Sequence, residues 1–165
     1  INCTHDVIEH IPAQEKMVIF CKFKYDLKKL KRALELAYGD DKVAVFHGLL
    51  NGKQKKEQLN NFRKGAKFFI TTQSCGGYGL TLNEANHVIF YNNTFKYSER
   101  MQAEDRCHRI GQTKKVVYID IKCCNSIDKK ILDCICKKRD IVEDFKNHIN
   151  KVKKEGIKEV IKNKL

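Results

Sequence analysis

One proline, no C-x-x-C pair, no apolar run longer than a few residues and no G-x-x-x-x-G-K-[ST] loop are the first features of this chain. The apolar runs, of which Val116 to Ile119 is typical, are too short to cross a bilayer. The N-terminus also lacks the basic stretch followed by an apolar one that marks a secretory signal. The eight cysteines (Cys3, Cys21, Cys75, Cys107, Cys123, Cys124, Cys134 and Cys136) lack paired-ligand spacing. A zinc site from the last four is therefore set aside and no metal is expected. Cys21 sits in a strand-like run, and Cys134 and Cys136 on a helical pattern. They read as small half-buried residues of a reducing, intracellular compartment, a cytoplasm or a nucleus. Gly48-x-x-x-Gly52-Lys53 is one residue short of a phosphate-binding loop, and Gln54 stands where a hydroxyl is needed. No acidic tetrad follows a strand, so the pieces that cradle β- and γ-phosphates and hold magnesium are missing. No strand is followed by G-x-G-x-x-G, and there are no internal repeats.

Thirty-three lysines and arginines against 20 acidic residues give a net charge of +13, which points to a polyanionic partner. At 165 residues the chain is long enough for one domain with its own core. It opens on Ile1, as expected of a piece of a longer polypeptide. Short runs rich in β-branched and aromatic residues recur at Lys16–Phe23, Val43–Phe46, Lys67–Thr72, His87–Tyr91 and Val116–Ile121. Between them Leu27, Leu30, Leu34 and Ala37 repeat at helical spacing up to Gly39, and a helix from about Gly52 to Arg63 turns Leu59 and Phe62 inward. After Asn125 or Ser126 a further helix carries Ile127, Ile131 and Ile135, then Ile141, Val142, Phe145 and Ile149. Strands apolar on both faces and alternating with helices predict a mostly parallel sheet between helical layers.

Two stretches bear chemistry. In Met101–Gln112, MQAEDRCHRIGQ, helical spacing stacks Gln102, Arg106 and Arg109 on one face, with Gly111 ending the helix. Two guanidiniums a turn apart repel unless an anion lies between them, and a triphosphate tail suits their planar forks. Ordinary i,i+4 pairing of Asp105 with Arg109 and Glu104 with His108 is the alternative for the same stripe. In Ser74–Thr81, Gly76, Gly77 and Gly79 crowd the carboxyl end of a buried strand, where backbone amides can approach a ligand closely.

QAEDRCHRIGQ closely resembles the sixth motif of Swi/Snf-type ATP-dependent DNA translocases, the superfamily-two helicase relatives that move along duplex DNA. VIFCKFKYDLKKL resembles their fourth motif, with Cys21 and Lys22 in place of the usual serine and glutamine. The glycine stretch resembles the fifth, GG-x-GL-x-L, with Thr81 where asparagine is common. NNTFKYSER resembles the segment leading to the sixth, with Phe95 where a tryptophan is usual, and SIDKKILDCICKKRDIVEDF resembles the brace helix. The resemblance spans roughly Lys16 to Phe145.

It implies the second RecA-like lobe of a motor, a three-layer α/β sandwich with an added carboxyl-terminal helix. Residues 1–15 would be a lead-in segment or linker, 16–122 the lobe, and 123–165 the brace-like helix and a lysine-rich tail. Arg106 and Arg109 would act as arginine fingers on ATP, with Gln102 placing phosphate or water. Lys22, His47, Gly48, Gly76, Gly77, Gly79 and Thr81 would meet the DNA backbone, and Phe95 would couple the two sites. ATP and Mg2+ would be bound mainly by a first lobe of the same polypeptide, so this chain alone should hydrolyse little or nothing. The expected partners are double-stranded DNA and that first lobe, with no membrane. The alternatives are a non-catalytic basic nucleic-acid-binding module of helicase-like fold and an RNA helicase lobe.

Overall fold

A computed structural model describes residues 2–137 and 149–150. Five strands form one parallel sheet: β1 (Met17–Cys21), β2 (Val43–Phe46), β3 (Phe68–Thr72), β4 (His87–Phe90) and β5 (Val117–Asp120), in the order β2-β3-β1-β4-β5. They fall on the five apolar runs, shortened by one or two residues at most of the ends. At the end of β1 the cause is visible: the Lys22 N–H leaves the ladder and donates to Asn92 Oδ1 at 2.6 Å.

β1, β2 and β3 are buried at every residue, because helices cover both faces of the sheet. On one face Met17, Ile19, Val43, Val45, Phe68, Ile70 and Ile89 meet helix α1 (Asn2–Glu9) through Ile8, and helix α2 (Lys24–Tyr38) through Leu27, Leu30 and Leu34. Part of the segment expected as a lead-in or linker thus forms α1 and joins the core. On the other face Val18, Phe20, Ala44, Phe46, Phe69, Val88 and Phe90 meet helix α3 (Gly52–Lys64) through Phe62, and helix α4 (Tyr97–Cys107) through Ala103 and Cys107.

Local signals fix the ends of these helices. Asn51 and Gln54 form a capping box at the start of α3, each side chain accepting from the other's backbone N–H. Lys16 Nζ donates to the carbonyls of Phe62 and Arg63 at its other end. Ser126 caps helix α5 (Ile127–Cys136), which packs against α4 and buries Ile131. The expected continuation of that helix through Phe145, and the lysine-rich stretch from Lys151 to Leu165, lie outside the described residues.

All five strands run the same way, so every strand's carboxyl end opens at one rim of the sheet. Lys22, His47, the glycine-rich turn and the loop before α4 are gathered there.

Candidate functional site

At the carboxyl end of β1 the Asn92 side chain joins three elements. It accepts from the Lys22 N–H and donates to Asp26 Oδ2 on α2 at 2.7 Å, while the main-chain carbonyl of Asn92 accepts from Gln73 Nε2 at 3.1 Å. Lys22 Nζ stands 3.2 Å from the centre of the Phe95 ring and 5.2 Å from that of Phe23, a cation held over two aromatic faces. Burial lowers the pKa of this ammonium, and nearby Glu99 acts in the opposite sense. His47 follows β2 directly. Burial lowers its pKa, and the charges of Lys24, Lys28 and Lys55 lower it further, so the imidazole is neutral at pH 7 within a basic surface. Its Nδ1 is buried without a partner among the described residues. A Cβ placed on the adjacent Gly48 would meet nothing within 4 Å and its φ is not positive, so nothing among the described residues requires a glycine there.

After β3 the chain makes a 3-10 turn, Gln73–Tyr78, that contains Gly76 and Gly77. Thr72 Oγ1 lies 3.0 Å from Cys75 Sγ and accepts from Ser74 Oγ at 3.3 Å, which pins the start of the turn. Gly79 ends it at φ +64, a left-handed conformation that L side chains rarely adopt. This turn packs directly on α4.

The arginine segment departs from the expected single helical face. Helix α4 stops at Cys107, and Arg109 lies beyond it in a turn closed by the Gln112 N–H to the Arg109 carbonyl at 2.9 Å. The last helical carbonyls are taken by other partners: the Leu82 N–H donates to Arg106 O at 2.8 Å, and Gln112 Nε2 to Cys107 O at 3.4 Å. Gln112 Nε2 also reaches Ala85 O at 2.8 Å and Asn83 O at 3.1 Å, so this side chain staples the turn to the stretch after the glycines. Gly111 sits within the turn at φ +101 rather than capping the helix, and a Cβ there would lie 2.6 Å from Asn83 Nδ2.

Gln102 and Arg106 are on the helix, exposed and half-buried respectively. Arg106 Nε is buried with no acceptor among the described residues. Exposed Arg109 donates from Nη1 to Thr81 Oγ1 at 3.0 Å. Thr81, expected at nucleic acid, thus holds an arginine expected at ATP. The two motif-bearing stretches, 28 residues apart at this contact, form one surface.

Arg100 escaped the sequence reading. It is 4% exposed, and its guanidinium pairs with both oxygens of Asp120, with Asn93 Oδ1 at 2.7 Å and with Glu104 Oε1 at 2.6 Å, lying 3.4 Å above the centre of the Phe90 ring. The i,i+4 spacing of Arg100 and Glu104 was a readable signal. The pairing with Asp120, twenty residues on, was not.

A parallel five-stranded sheet covered on both faces, with a glycine turn and an arginine segment packed together at one rim, is a RecA-like lobe. The helicase conserved C-terminal domain family matches residues 1–111, and the chain belongs to that family, in its Swi/Snf type. The chain is 35% identical over 105 residues to human lymphoid-specific helicase, covering 61% of this chain and 12% of the relative. It is 31% identical over 160 residues to the DNA repair protein RAD5 of Saccharomyces cerevisiae, covering 93% and 14%. The solved C-terminal part of the Fun30 ATPase domain superposes with a TM-score of 0.74 at 30% identity, over 81% of this chain and 43% of that one. The chain spans about an eighth of the length of these curated relatives.

Proposed function

We propose that this chain is the second motor lobe of an ATP-dependent double-stranded DNA translocase, with residues 16–122 forming the lobe and 123–165 a brace-like helix and tail. A first RecA-like lobe in the same polypeptide completes the nucleotide site, and this chain alone hydrolyses little or nothing. The observation that carries the reading is the joint between the glycine stretch and the arginine segment, made by Thr81 Oγ1 to Arg109 and by Leu82 N–H to Arg106 O. Whatever displaces the Gly76–Thr81 turn displaces both arginines.

The residues present suit a polyphosphate. Two guanidiniums stand close in sequence with no acidic partner for either among the described residues, and Arg106 Nε is a buried donor without an acceptor there, a condition that costs about 1–3 kcal/mol. Mg2+, like ATP, is assigned mainly to the first lobe. Bound Mg-ATP would supply the phosphoryl group and neutralise part of its charge. Arg109 and Arg106 would then meet the charge that develops on the γ-phosphate, with Gln102 orienting phosphate or water.

On the other side of the joint, Lys22, His47, Gly48, Gly76, Gly77, Gly79 and Thr81 would track the DNA backbone. Gly48 supports this, since no contact among the described residues asks for a glycine and a close backbone approach from outside would. Phe95, which holds Lys22 Nζ at its ring, couples that contact to the start of α4. Closure of the lobes would carry these contacts along the duplex, and opening would reset them.

The test is ATP hydrolysis by the complete polypeptide with duplex DNA, with RNA and with neither, beside its Arg109→Ala variant and this chain alone. Turnover that is stimulated most by duplex DNA, is lost in the variant and is absent from the isolated chain is the expected result. Turnover indifferent to Arg109 and to DNA would leave a basic nucleic-acid-binding module, and stronger stimulation by RNA would make it an RNA helicase lobe.

A further inference from the structure

Helix α4 carries Arg106 and leads directly into the turn that holds Arg109, yet little apolar packing fixes its position. Its buried residues are Arg100, Ala103 and Cys107, and the latter two are small. The N-cap residue, Lys96, makes no side-chain capping bond; instead Thr94 Oγ1 accepts from the Lys96 N–H at 3.3 Å and donates to Glu99 Oε2 at 2.8 Å. The one large buried side chain on the helix is a cation.

That cation is satisfied on every side. Asp120, the last residue of β5, receives both terminal nitrogens of Arg100, and Asn93 Nδ2 donates to Asp120 Oδ1 at 2.7 Å, completing a closed ring of three side chains. The planar fork of an arginine fixes direction as well as distance, which a hydrophobic contact of the same size does not. A buried ion pair adds little net stability over a well-packed apolar substitute, so its yield lies in geometry rather than in folding energy. Asn93 is the neighbour of Asn92, the residue that grips the Lys22 N–H, Asp26 and Gln73. Two adjacent asparagines therefore tie the rim on one side and the arginine helix on the other.

We propose that Arg100, locked by Asp120 and Asn93, is a positioning residue that sets where Arg106 and Arg109 stand when the two lobes close. From Arg100 to Arg106 the helix rises about 9 Å, at 1.5 Å per residue, so a small change of tilt or register at the ion pair is carried to the arginines. A displacement near 1 Å at a reacting centre costs about a hundredfold in rate.

This inference rests on the motor reading above, and the experiment separates the two. In the complete polypeptide, Asp120→Asn keeps the shape of the pair and removes its charge. It is expected to lower kcat at saturating ATP and duplex DNA about tenfold or more, with KM for ATP within about twofold and the folded fraction unchanged. Asp120→Glu, which keeps the carboxylate, should recover at least half of the natural turnover. A kcat for Asp120→Asn equal to that of the natural protein, or one that falls only in step with the folded fraction, overturns the inference. Arg109→Ala run alongside tells which reading has failed. If it abolishes turnover while Asp120→Asn does not, only the positioning role is lost; if it leaves turnover intact, the arginine reading itself fails.

Discussion

In β1 and β3 every residue is buried, and most of their neighbours are aromatic or aliphatic; a step further along the chain, at the rim, Lys22, Gln73 and Asn92 are held by hydrogen bonds and by a cation over a ring. Phe69 illustrates the first region, fully enclosed with Phe62 at 4.9 Å and Phe46 at 6.0 Å between ring centres. Arg109 illustrates the second, exposed and held by one bond to Thr81. Packing in the centre is non-directional and tolerates exchange of one apolar shape for another. The rim depends on atoms at fixed angles, so a change there alters geometry with little effect on stability. The rim also contains the residues proposed above to bear on function.

Several substitutions can break or sharpen this contrast. Arg109→Ala in the complete polypeptide should cut turnover by about 10³ to 10⁵, the range in which arginine fingers act. The same change should leave the unfolding midpoint nearly unmoved, since exposed sites shift stability by about 0.5 kcal/mol or less. Phe69→Ala is the counterpart in the centre. It should cost about 3–5 kcal/mol in denaturant unfolding, with remaining activity following the folded fraction. If Phe69→Ala proved harmless to stability, or Arg109→Ala as costly as a core truncation, the division between centre and rim would collapse.

Gly111→Ala falls between the two. Forcing an L side chain to φ +101 with its Cβ 2.6 Å from Asn83 Nδ2 should cost about 1–2 kcal/mol. It should also reduce turnover beyond that amount, because Arg109 stands two residues away in the same turn. Equal losses in stability and turnover would show that the turn serves folding alone.

The smallest effect is that of pH at His47. Its folded pKa lies below the ordinary 6.5, first through burial and then through Lys24, Lys28 and Lys55. The unfolded chain therefore binds the proton more readily. The stability owed to a neutral His47 is present above pH 6.5 and is lost as pH falls from there through the lower folded value. A DNA phosphate beside the ring would favour the charged form, so duplex should raise the His47 midpoint in a proton NMR titration. A midpoint that duplex leaves in place would remove His47 from the DNA surface.

Much of the architecture was readable in the chain. The five strands announce themselves because a strand buried on both faces must be apolar at successive positions, as Val18–Cys21 and Phe68–Ile70 are. Gly39 and Ser126 mark helix ends through local backbone chemistry alone. The arginine stripe was readable as residue types and misread as geometry. Helical spacing placed Arg109 on the face of Arg106, whereas the carbonyls at the helix end two residues earlier are taken by the Leu82 N–H, brought from another segment, and by the Gln112 side chain folding back from the turn.

Composition and local pattern thus determined that this is a basic α/β chain built on a mostly parallel sheet, because charge, periodicity and turn chemistry act over a few residues. Only the tertiary structure decided that Arg109 rests on Thr81, that Asn92 joins Lys22 to Gln73, and that Arg100 finds its partner in Asp120. Those pairings join residues 19 to 70 positions apart, and their angles exist only once the sheet has brought the strand ends together.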